Sequence, residues 1–338
     1  MNNKRFCLGI DTSNYTTSAA IVDGELNIIA DSRKLLEVKQ GERGLRQSQA
    51  LFEHMGNLPG VFEELFRQAE DVPGFSREGI CAVSVSERPR PVEGSYMPVF
   101  RAGIAQGKVL AETLGVPCFC FSHQEGHLAA ALPDSGLNPE GEFLALHLSG
   151  GTTEVLKCRK RQEGTGPAYE IEIVGGTKDL SYGQLIDRVG VALGMAFPCG
   201  KELDRFALEQ ANLQDSGPLP DFCRVQTADG RINLSGIETQ IQRYIKDWTD
   251  SGREADEIAG AVAVAMMDRI GESLLKMIGQ CREKTGIRPA LLSGGVAASR
   301  YLREKLKAEK DLYFGSPERS SDNAAGTAIL GMERVLKK

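Results

Sequence analysis

The chain has 338 residues, 41% of them hydrophobic and 25% charged, with a net charge of −6. That length accommodates two domains with cores of their own, and the ordinary apolar and charged fractions fit a soluble globular protein. The acidic balance argues against a free-standing nucleic-acid-binding domain, which carries a basic face. A basic partner, or a local patch around Arg88, Arg90 and Arg101, stays open, with a solvated surface the simpler reading. Eight cysteines without a C-x-x-C pair imply no disulfide framework and a reducing compartment. With no apolar run long enough for a signal peptide or membrane span, a cytoplasmic protein without membrane contact is expected.

Phe6-Cys7-Leu8-Gly9-Ile10-Asp11-Thr12-Ser13 reads as an apolar strand ending in a carboxylate and two hydroxyls. Asn14-Tyr15 turns the chain, Thr16 to Val22 returns as a strand, and Asp23-Gly24 makes a tight turn. A tip of this composition can offer amides and hydroxyls to a phosphate, and Asp11 to a cation or water; an ordinary polar hairpin tip is the plain alternative. A third strand and two helical stretches follow, with apolar residues at helical spacing from Leu45 to Phe66, broken near Gly56 to Gly60. His54 lies on the surface or in a groove of that helix. Ile80 to Val85 reads as a buried strand, Ser86 to Tyr96 as a loop at its carboxyl end, and Phe100 to Leu114 as a Gly- and Ala-rich amphipathic helix.

Val116-Pro117-Cys118-Phe119-Cys120-Phe121 is a short strand in which Cys118 and Cys120 share a face as small hydrophobes. Ser122-His123-Gln124-Glu125-Gly126-His127 follows and opens a helix, at the strand edge where open α/β sheets bind ligands. The chain has four histidines, and two stand here four residues apart. On a helix that spacing stacks both imidazoles on one face, about 5–6 Å apart at Cβ, so they can grip one metal ion. The zinc-peptidase pattern puts Glu directly after the first histidine; here the acid is one place later, about 100° further round the helix. The pair therefore reads as a metal clamp, against the alternative of a surface or core pair satisfied by backbone.

Pro133 to Gly141 is the best domain boundary, giving residues 1–135 and 142–318 as two lobes and 319–338 as a helix returning toward the first. Phe143 to Leu148, the tip Ser149-Gly150-Gly151-Thr152-Thr153 and Glu154 to Cys158 repeat the first hairpin in outline, so two related lobes each offer a tip to a shared cleft. Gly150-Gly151 lets backbone amides approach an anion. A strand at Glu170 to Val174 ends in a turn at Gly175-Gly176-Thr177, and a helix containing Asp187 runs to Leu193. Pro198-Cys199-Gly200 turns into a helix to Ala211, and residues 212–232 form an excursion. Ile258 to Gln280 is a long apolar helix whose Met266, Met267 and Met277 are core filler. Pro289 to Ala297 is a strand meeting Gly294-Gly295, with a helix from Ala298 whose amino terminus suits a nucleotide. Ser320 to Gly326 opens a last helix, with Asp322 as its cap or as a third metal ligand.

The two tips and the Gly-Gly turn resemble the α/β actin-like ATPase fold of sugar kinases, heat-shock-70 proteins and actin, two related lobes around a cleft. Within it, Gly9-Ile10-Asp11-Thr12-Ser13, His123-x-Glu125-Gly126-His127, Leu148-Ser149-Gly150-Gly151, Asp179 through Asp187, Ser293-Gly294-Gly295-Val296 and Ser321-Asp322-Asn323-Ala324 resemble the universal threonylcarbamoyl-adenosine synthase family, TsaD in bacteria. Order and spacing hold over residues 5–331. The resemblance implies transfer of a threonylcarbamoyl group from its adenylate to N6 of adenosine in tRNA, with partner proteins. It makes His123, His127 and Asp322 the ligands of one divalent metal, iron or zinc, which donor softness does not separate. It places the adenylate, or an adenine nucleotide, on His147, Leu148, Ser149, Gly150 and Gly151, with Asp187 and Gly200 beside it. Asp11 is a candidate proton acceptor for the adenosine amine.

The chain also departs from the family pattern. Glu87 to Gly94 replaces a Gly-Pro-Gly-Leu segment, Ser122 and Thr152 stand where histidines are usual, Ser299 replaces a nucleotide-binding asparagine, and an Arg-Pro-Arg-Trp tail is missing. These departures suggest a divergent paralogue. Two other functions stay in view: a metallopeptidase of the glycoprotease type, and a non-catalytic nucleotide-binding paralogue that pairs with a sister actin-like subunit.

Overall fold

The computed structural model describes residues 5–13, 15–37, 45–161, 166–213, 219–320 and 323–337. The turn assigned to Asn14, the ligand assigned to Asp322, Ser321, and residues 214–218 of the excursion lie outside the described residues. The chain divides into two compact units, Met1–Pro133 with Arg161–Glu170 and Asp322–Lys338, and Asp134–Lys160 with Ile171–Ser321.

In the first unit, β1 (Phe6–Asp11) pairs antiparallel with β2 (Thr16–Asp23), and β2 with β3 (Ile28–Leu35). On its other side β1 runs parallel to β4 (Ile80–Arg88), and β4 parallel to β5 (Cys118–Ser122), giving the order β3-β2-β1-β4-β5. β1 is central, so every residue of it is buried and its sequence is a continuous apolar run. Leu8 and Ile10 join the core formed with helices α1 (Gln47–Glu70) and α2 (Phe100–Leu114). Gly9 points to the opposite face by strand alternation. A Cβ there would lie 2.6 Å from the Ala324 carbonyl oxygen and 2.7 Å from the Ala328 nitrogen, so glycine is what lets the C-terminal helix (Ala325–Leu336) lie on β1. Gly107 does the same for α2, since a Cβ would meet Val85 Cγ1 at 2.2 Å. The Gly- and Ala-rich character of α2 is thus a close-packing requirement.

Three expectations are corrected here. The helix does not break at Gly56 to Gly60: α1 is continuous, with Pro59 inside it. An interior proline costs about 3 kcal/mol, but Leu58, Val61 and Leu65 on the same helix are buried, each contributing about 1.5–3 kcal/mol, and their stripe outweighs it. Pro59 itself is exposed. Pro59→Ala is expected to raise stability by about 1–3 kcal/mol in urea unfolding; a loss instead would mean that the ring makes packing its exposure does not suggest. His54 is not on the surface but fully buried, with Nδ1 2.8 Å from Thr17 Oγ1. β4 continues to Arg88, which still pairs with Ser122, so the loop expected from Ser86 begins later and Ser86 is buried.

In the second unit, β6 (Glu142–Leu148) pairs antiparallel with β7 (Thr153–Lys160), which neighbours β8 (Tyr169–Thr177). β9 (Gln226–Ala228) and β10 (Arg231–Asn233) form a hairpin beyond β8, while β6 runs parallel to β11 (Ala290–Ser293) and β11 parallel to β12 (Leu312–Phe314). Without the added hairpin, the order β8-β7-β6-β11-β12 repeats that of the first sheet, so the repeat read in the two tips extends to five strands. Helices α4 (Tyr182–Ala192), α5 (Gly200–Ala211), α6 (Ser235–Asp250) and α7 (Ala255–Thr285) share one core, in which Met266, Met267 and Met277 are at most 1% exposed.

Two more expectations change. Gly175 to Thr177 does not turn but belongs to β8. A Cβ on Gly176 would lie 2.6 Å from the Thr153 carbonyl oxygen, and one on Gly175 would lie 2.6 Å from that of Gly230, so these glycines serve close strand contact. The helix after Gly294-Gly295 is α8 (Arg300–Leu306), which starts at Arg300 rather than Ala298 because Ser299 Oγ caps it through the Leu302 N–H. Among the described residues no helix is long and apolar enough to cross a membrane.

Candidate functional site

β5 delivers the chain into α3 (His123–Ala131) through a capping box. Ser122 Oγ accepts from the Glu125 N–H at 3.3 Å, and Glu125 Oε2 accepts from the Ser122 N–H at 2.8 Å. Ser122, where the family pattern has a histidine, is therefore the N-cap. Glu125 is 1% exposed and its other oxygen, Oε1, accepts from the Ala168 and Tyr169 N–H groups. Its carboxylate is consumed in fixing α3, which removes it as a general base for peptide hydrolysis. Glu125→Ala would leave the buried N–H groups of Ser122 and Ala168 without acceptors. A loss of about 3 kcal/mol or more in urea unfolding is expected; unchanged stability would return Glu125 to the list of catalytic candidates.

With α3 fixed, His123 and His127 stand one turn apart, their ring centroids 4.3 Å apart and their Nε2 atoms 2.9 Å apart. His123 Nδ1 lies 2.8 Å from Asp11 Oδ2 and 2.9 Å from Ser13 Oγ. Asp11, at the end of β1, is 1% exposed; its Oδ1 accepts from the Ser13 N–H at 2.7 Å and its Oδ2 from Ser86 Oγ at 2.6 Å. Burial pulls the Asp11 carboxyl up, but the His123 charge and the hydrogen bonds from His123, Ser13 and Ser86 outweigh it and hold it below the usual carboxylate range. An ionised Asp11 makes His123 Nδ1 the donor and turns Nε2 toward His127. Ser86 Oγ also meets Thr327 Oγ1 at 3.0 Å, and Ser84 Oγ donates to the Thr327 carbonyl at 2.8 Å, tying the start of the C-terminal helix to the same network.

This donor set fits a metal on its histidine side. A neutral imidazole whose Nδ1–H is held by a carboxylate presents Nε2 as a ligand, the usual outer-shell arrangement. Two metal–nitrogen bonds of about 2.0–2.1 Å at a tetrahedral angle need nitrogens about 3.3–3.4 Å apart, reached by small ring rotations from the present separation. Among the described residues no group of three His, Cys, Asp or Glu side chains is arranged to hold a metal.

The second unit gathers the other sequence-chosen residues along a hydrogen-bonded ladder. His147 and Leu148 end β6, and Ser149 to Thr152 close a tight tip in which the Ser149 N–H donates to the Thr152 carbonyl at 2.9 Å. Gly150 and Gly151 are exposed, with open space where a Cβ would stand. The tip is seated on α4: Ser181 Oγ donates to the Gly150 carbonyl at 2.7 Å, and a Cβ on Gly183 would lie 2.5 Å from Gly150 Cα. Asp187 on α4 accepts the Cys199 N–H at 2.9 Å, at the start of α5 where Gly200 is the first residue. Burial raises the Asp187 carboxyl, against that one hydrogen bond. Further along α5, Asp204 accepts from Ser299 Oγ and from the Arg300 N–H at 3.0 Å, so Ser299 is engaged both with Asp204 and in capping α8. Gly294, with φ +97°, is required by β6, since a Cβ would lie 2.4 Å from the Leu148 carbonyl oxygen; Gly295 beside it is open.

Sequence reasoning passed over Ser86, Thr327, Ser181 and Asp204. The capping boxes Ser122-x-x-Glu125 and Ser181-x-x-Gln184 were a readable signal. Asp204 bonding across 95 residues to Ser299 leaves none.

Known proteins resemble this chain in sequence and in fold. The profile of the TsaD family, described as tRNA N6-adenosine threonylcarbamoyltransferase, matches residues 28–329. Proteins named tRNA N6-adenosine threonylcarbamoyltransferase from Fervidobacterium nodosum and Thermosipho africanus are each 28% identical to this chain. They cover 97% and 98% of it, and 93% and 94% of their own lengths. Among solved structures, HypF from T. kodakarensis superposes with a TM-score of 0.54 at 12% identity, over 99% of this chain and 48% of that one. A full-length HypF in a phosphate- and nucleotide-bound form gives 0.52 at 14% identity, over 98% and 46%. The α/β actin-like ATPase fold expected from the two tips is the fold of this chain. With the profile spanning most of its length, the chain belongs to the TsaD family.

Proposed function

We propose that this protein transfers a threonylcarbamoyl group from threonylcarbamoyl-adenylate to N6 of adenosine in tRNA, using a divalent metal, iron or zinc, and partner proteins. The observation that carries the reading is the convergence of His123 and His127 Nε2 with His123 Nδ1 held by Asp11. In this reading His123, His127 and Asp322 hold the ion, which supplies Lewis acidity toward the carbamoyl carbonyl. To bind it, His127 gives up the Nε2 hydrogen it shares with His123 and adopts the Nδ1–H tautomer. Asp11, with both oxygens occupied and almost no exposure, acts by orienting His123 rather than by taking the proton of the adenosine amine.

In the second unit we assign the adenylate to the tip His147, Leu148, Ser149, Gly150, Gly151, whose glycines leave open space at Cβ for a phosphate to approach, and to Asp187 and Gly200 at the amino terminus of α5, where partial positive charge accumulates. Ser299 contributes by holding α8 to Asp204. The net charge of −6 leaves tRNA binding to be shared with partner proteins, a sister actin-like subunit among the candidates.

The test is incubation of the protein with threonylcarbamoyl-adenylate, candidate partners and a tRNA transcript, with modified adenosine read by mass spectrometry and adenylate binding by calorimetry. Modified adenosine that disappears in His123→Ala supports the reading. Adenylate binding without transfer under any partner combination would favour the non-catalytic paralogue. Peptide cleavage by the clean protein, lost in Glu125→Gln, would favour the peptidase.

A further inference from the structure

We propose that the segment from Arg90 to Arg101 is an RNA-docking surface, on which Tyr96 stacks an unpaired base next to the target adenosine while Arg90 and Arg101 hold flanking phosphates. The proposal rests on the transferase reading and names the surface that holds the acceptor. The chemistry of that acceptor sets the requirement. N6 lies on the Watson–Crick edge of adenine, so a base that presents it must be unpaired and drawn out of its stack. A protein offsets the lost stacking by laying bases on an aromatic side chain and meeting the phosphates with arginine.

Both ends of this segment are held against the histidine helix. β4 stays paired with β5 as far as Arg88 and Ser122, and the Gln124 N–H, in the first turn of α3, donates to the Pro89 carbonyl at 3.1 Å. At the other end the Phe100 ring lies 6.2 Å from the His123 ring. Thr12 Oγ1, at the end of β1, donates to the Val99 carbonyl at 2.9 Å and accepts from the Gly103 N–H at 3.0 Å. Val99 and Phe100 are buried with Leu36 and Ala50, and Met97 packs on that cluster. Between these anchors the loop braces itself: the Arg90 N–H donates to Ser95 Oγ at 3.0 Å, and the Ser95 N–H to the Val92 carbonyl at 3.3 Å. Pro89 and Pro91 each fix φ near −65°, so less freedom is lost when a ligand docks.

What the braced loop exposes is an aromatic ring between positive charges. Tyr96 is 63% exposed although the next residue, Met97, is anchored, and Arg90 and Arg101 are exposed on either side of it in the chain. Arg88 is engaged differently, with Nε 3.3 Å from Glu87 Oε1, and Glu93 is an exposed acid within the loop. A single exposed aromatic is ordinary. Here it stands on a fixed loop beside the paired histidines, and its flanking guanidinium groups belong to a chain whose net charge is −6, so the positive charge is local. β5 is the last strand in its sheet's order, and its Cys120 is exposed rather than a core residue as the sequence suggests, so the loop leaves the sheet beside an edge strand.

The test titrates the full-length protein against a labelled RNA stem-loop with unpaired adenosines and against a blunt RNA duplex of equal length, with binding read by fluorescence anisotropy over a series of salt concentrations. The stem-loop should bind more tightly than the duplex. Tyr96→Ala should weaken stem-loop binding about 5–150-fold, and Tyr96→Trp should restore it. Arg90→Ala and Arg101→Ala should each flatten the slope of log affinity against log salt by about 0.7. All three side chains are exposed, so these variants keep the fold, which urea unfolding checks. A stem-loop left unbound at low salt, stem-loop affinity unchanged in Tyr96→Ala, or an unchanged slope in both arginine variants would each overturn the proposal. Competition by polyglutamate as strong as by unlabelled stem-loop would also overturn it, and would make the loop a face for an acidic protein. Anisotropy needs neither metal nor adenylate. A protein that binds RNA as expected but transfers nothing therefore sinks the transferase reading alone, whereas normal transfer and binding in Tyr96→Ala sink the docking surface alone.

Discussion

On the proposed metal-binding reading, His123→Ala should abolish metal binding, and Asp11→Asn should weaken it without removing it. The two side chains touch, yet stand differently to the ion. His123 would supply a nitrogen, while Asp11 would only fix which nitrogen faces His127, through the 2.8 Å contact to Nδ1. Loss of an outer partner of this kind costs about 10–100-fold in metal affinity, whereas loss of the ligand itself should exceed that range. Asparagine is close in size and can still accept from His123, but it brings no charge and offers one acceptor oxygen to the three contacts now made by two. Chelator competition on purified proteins gives the dissociation constants, and elemental analysis gives the stoichiometry. Equal affinity in Asp11→Asn and wild type would remove the orienting role. A parent protein that binds iron or zinc no better than His123→Ala would remove the clamp.

The largest expected effect on stability is at Gly326. A Cβ there would stand 1.8 Å from the Gly126 carbonyl oxygen and 2.9 Å from the Ala130 nitrogen, all backbone of α3. Flexible side chains can yield to such an intrusion, but helix backbone cannot, so Gly326→Ala must push α3 and the C-terminal helix apart. A cost of about 3 kcal/mol or more is expected, at or beyond the upper end of ordinary overpacking. Metal affinity should fall with it, because the displaced helix carries His123 and His127. Gly56→Ala is the matched control: Gly56 is also inside a helix but has open space at Cβ, so it should gain up to about 1 kcal/mol. Urea unfolding of both variants decides. If Gly326→Ala unfolds at the same urea concentration as the parent, the two helices do not cross as closely as the geometry says.

The legible part of the molecule follows from local rules. The strand runs around Leu8, Val83 and Leu146, the helix from Phe100 to Leu114 and the turn from strand to helix at Ser122 all express a single residue's preference or a short period. Fourfold spacing of His123 and His127 on a capped helix needs no tertiary information beyond the helix itself. The failures share one cause. Pro59 and the Gly175-Gly176 pair carry strong local signals for a break and a turn, and each was overridden by packing that comes from residues far along the chain.

The sequence by itself determined that this is a two-part α/β chain built on a repeated hairpin, with two histidines on one helical face, because periodicity and capping are written in neighbouring residues. Only the tertiary structure decided which nitrogen of His123 is held, that Glu125 also holds the Ala168 and Tyr169 amides, that Ser299 faces Asp204, and that Cys120 lies exposed. Each of these depends on groups separated in sequence by tens of residues and brought together by the sheets and helices. A hydrogen bond or a burial that spans such distances leaves no periodic trace in the chain, and its partners become known only when the backbone has placed them.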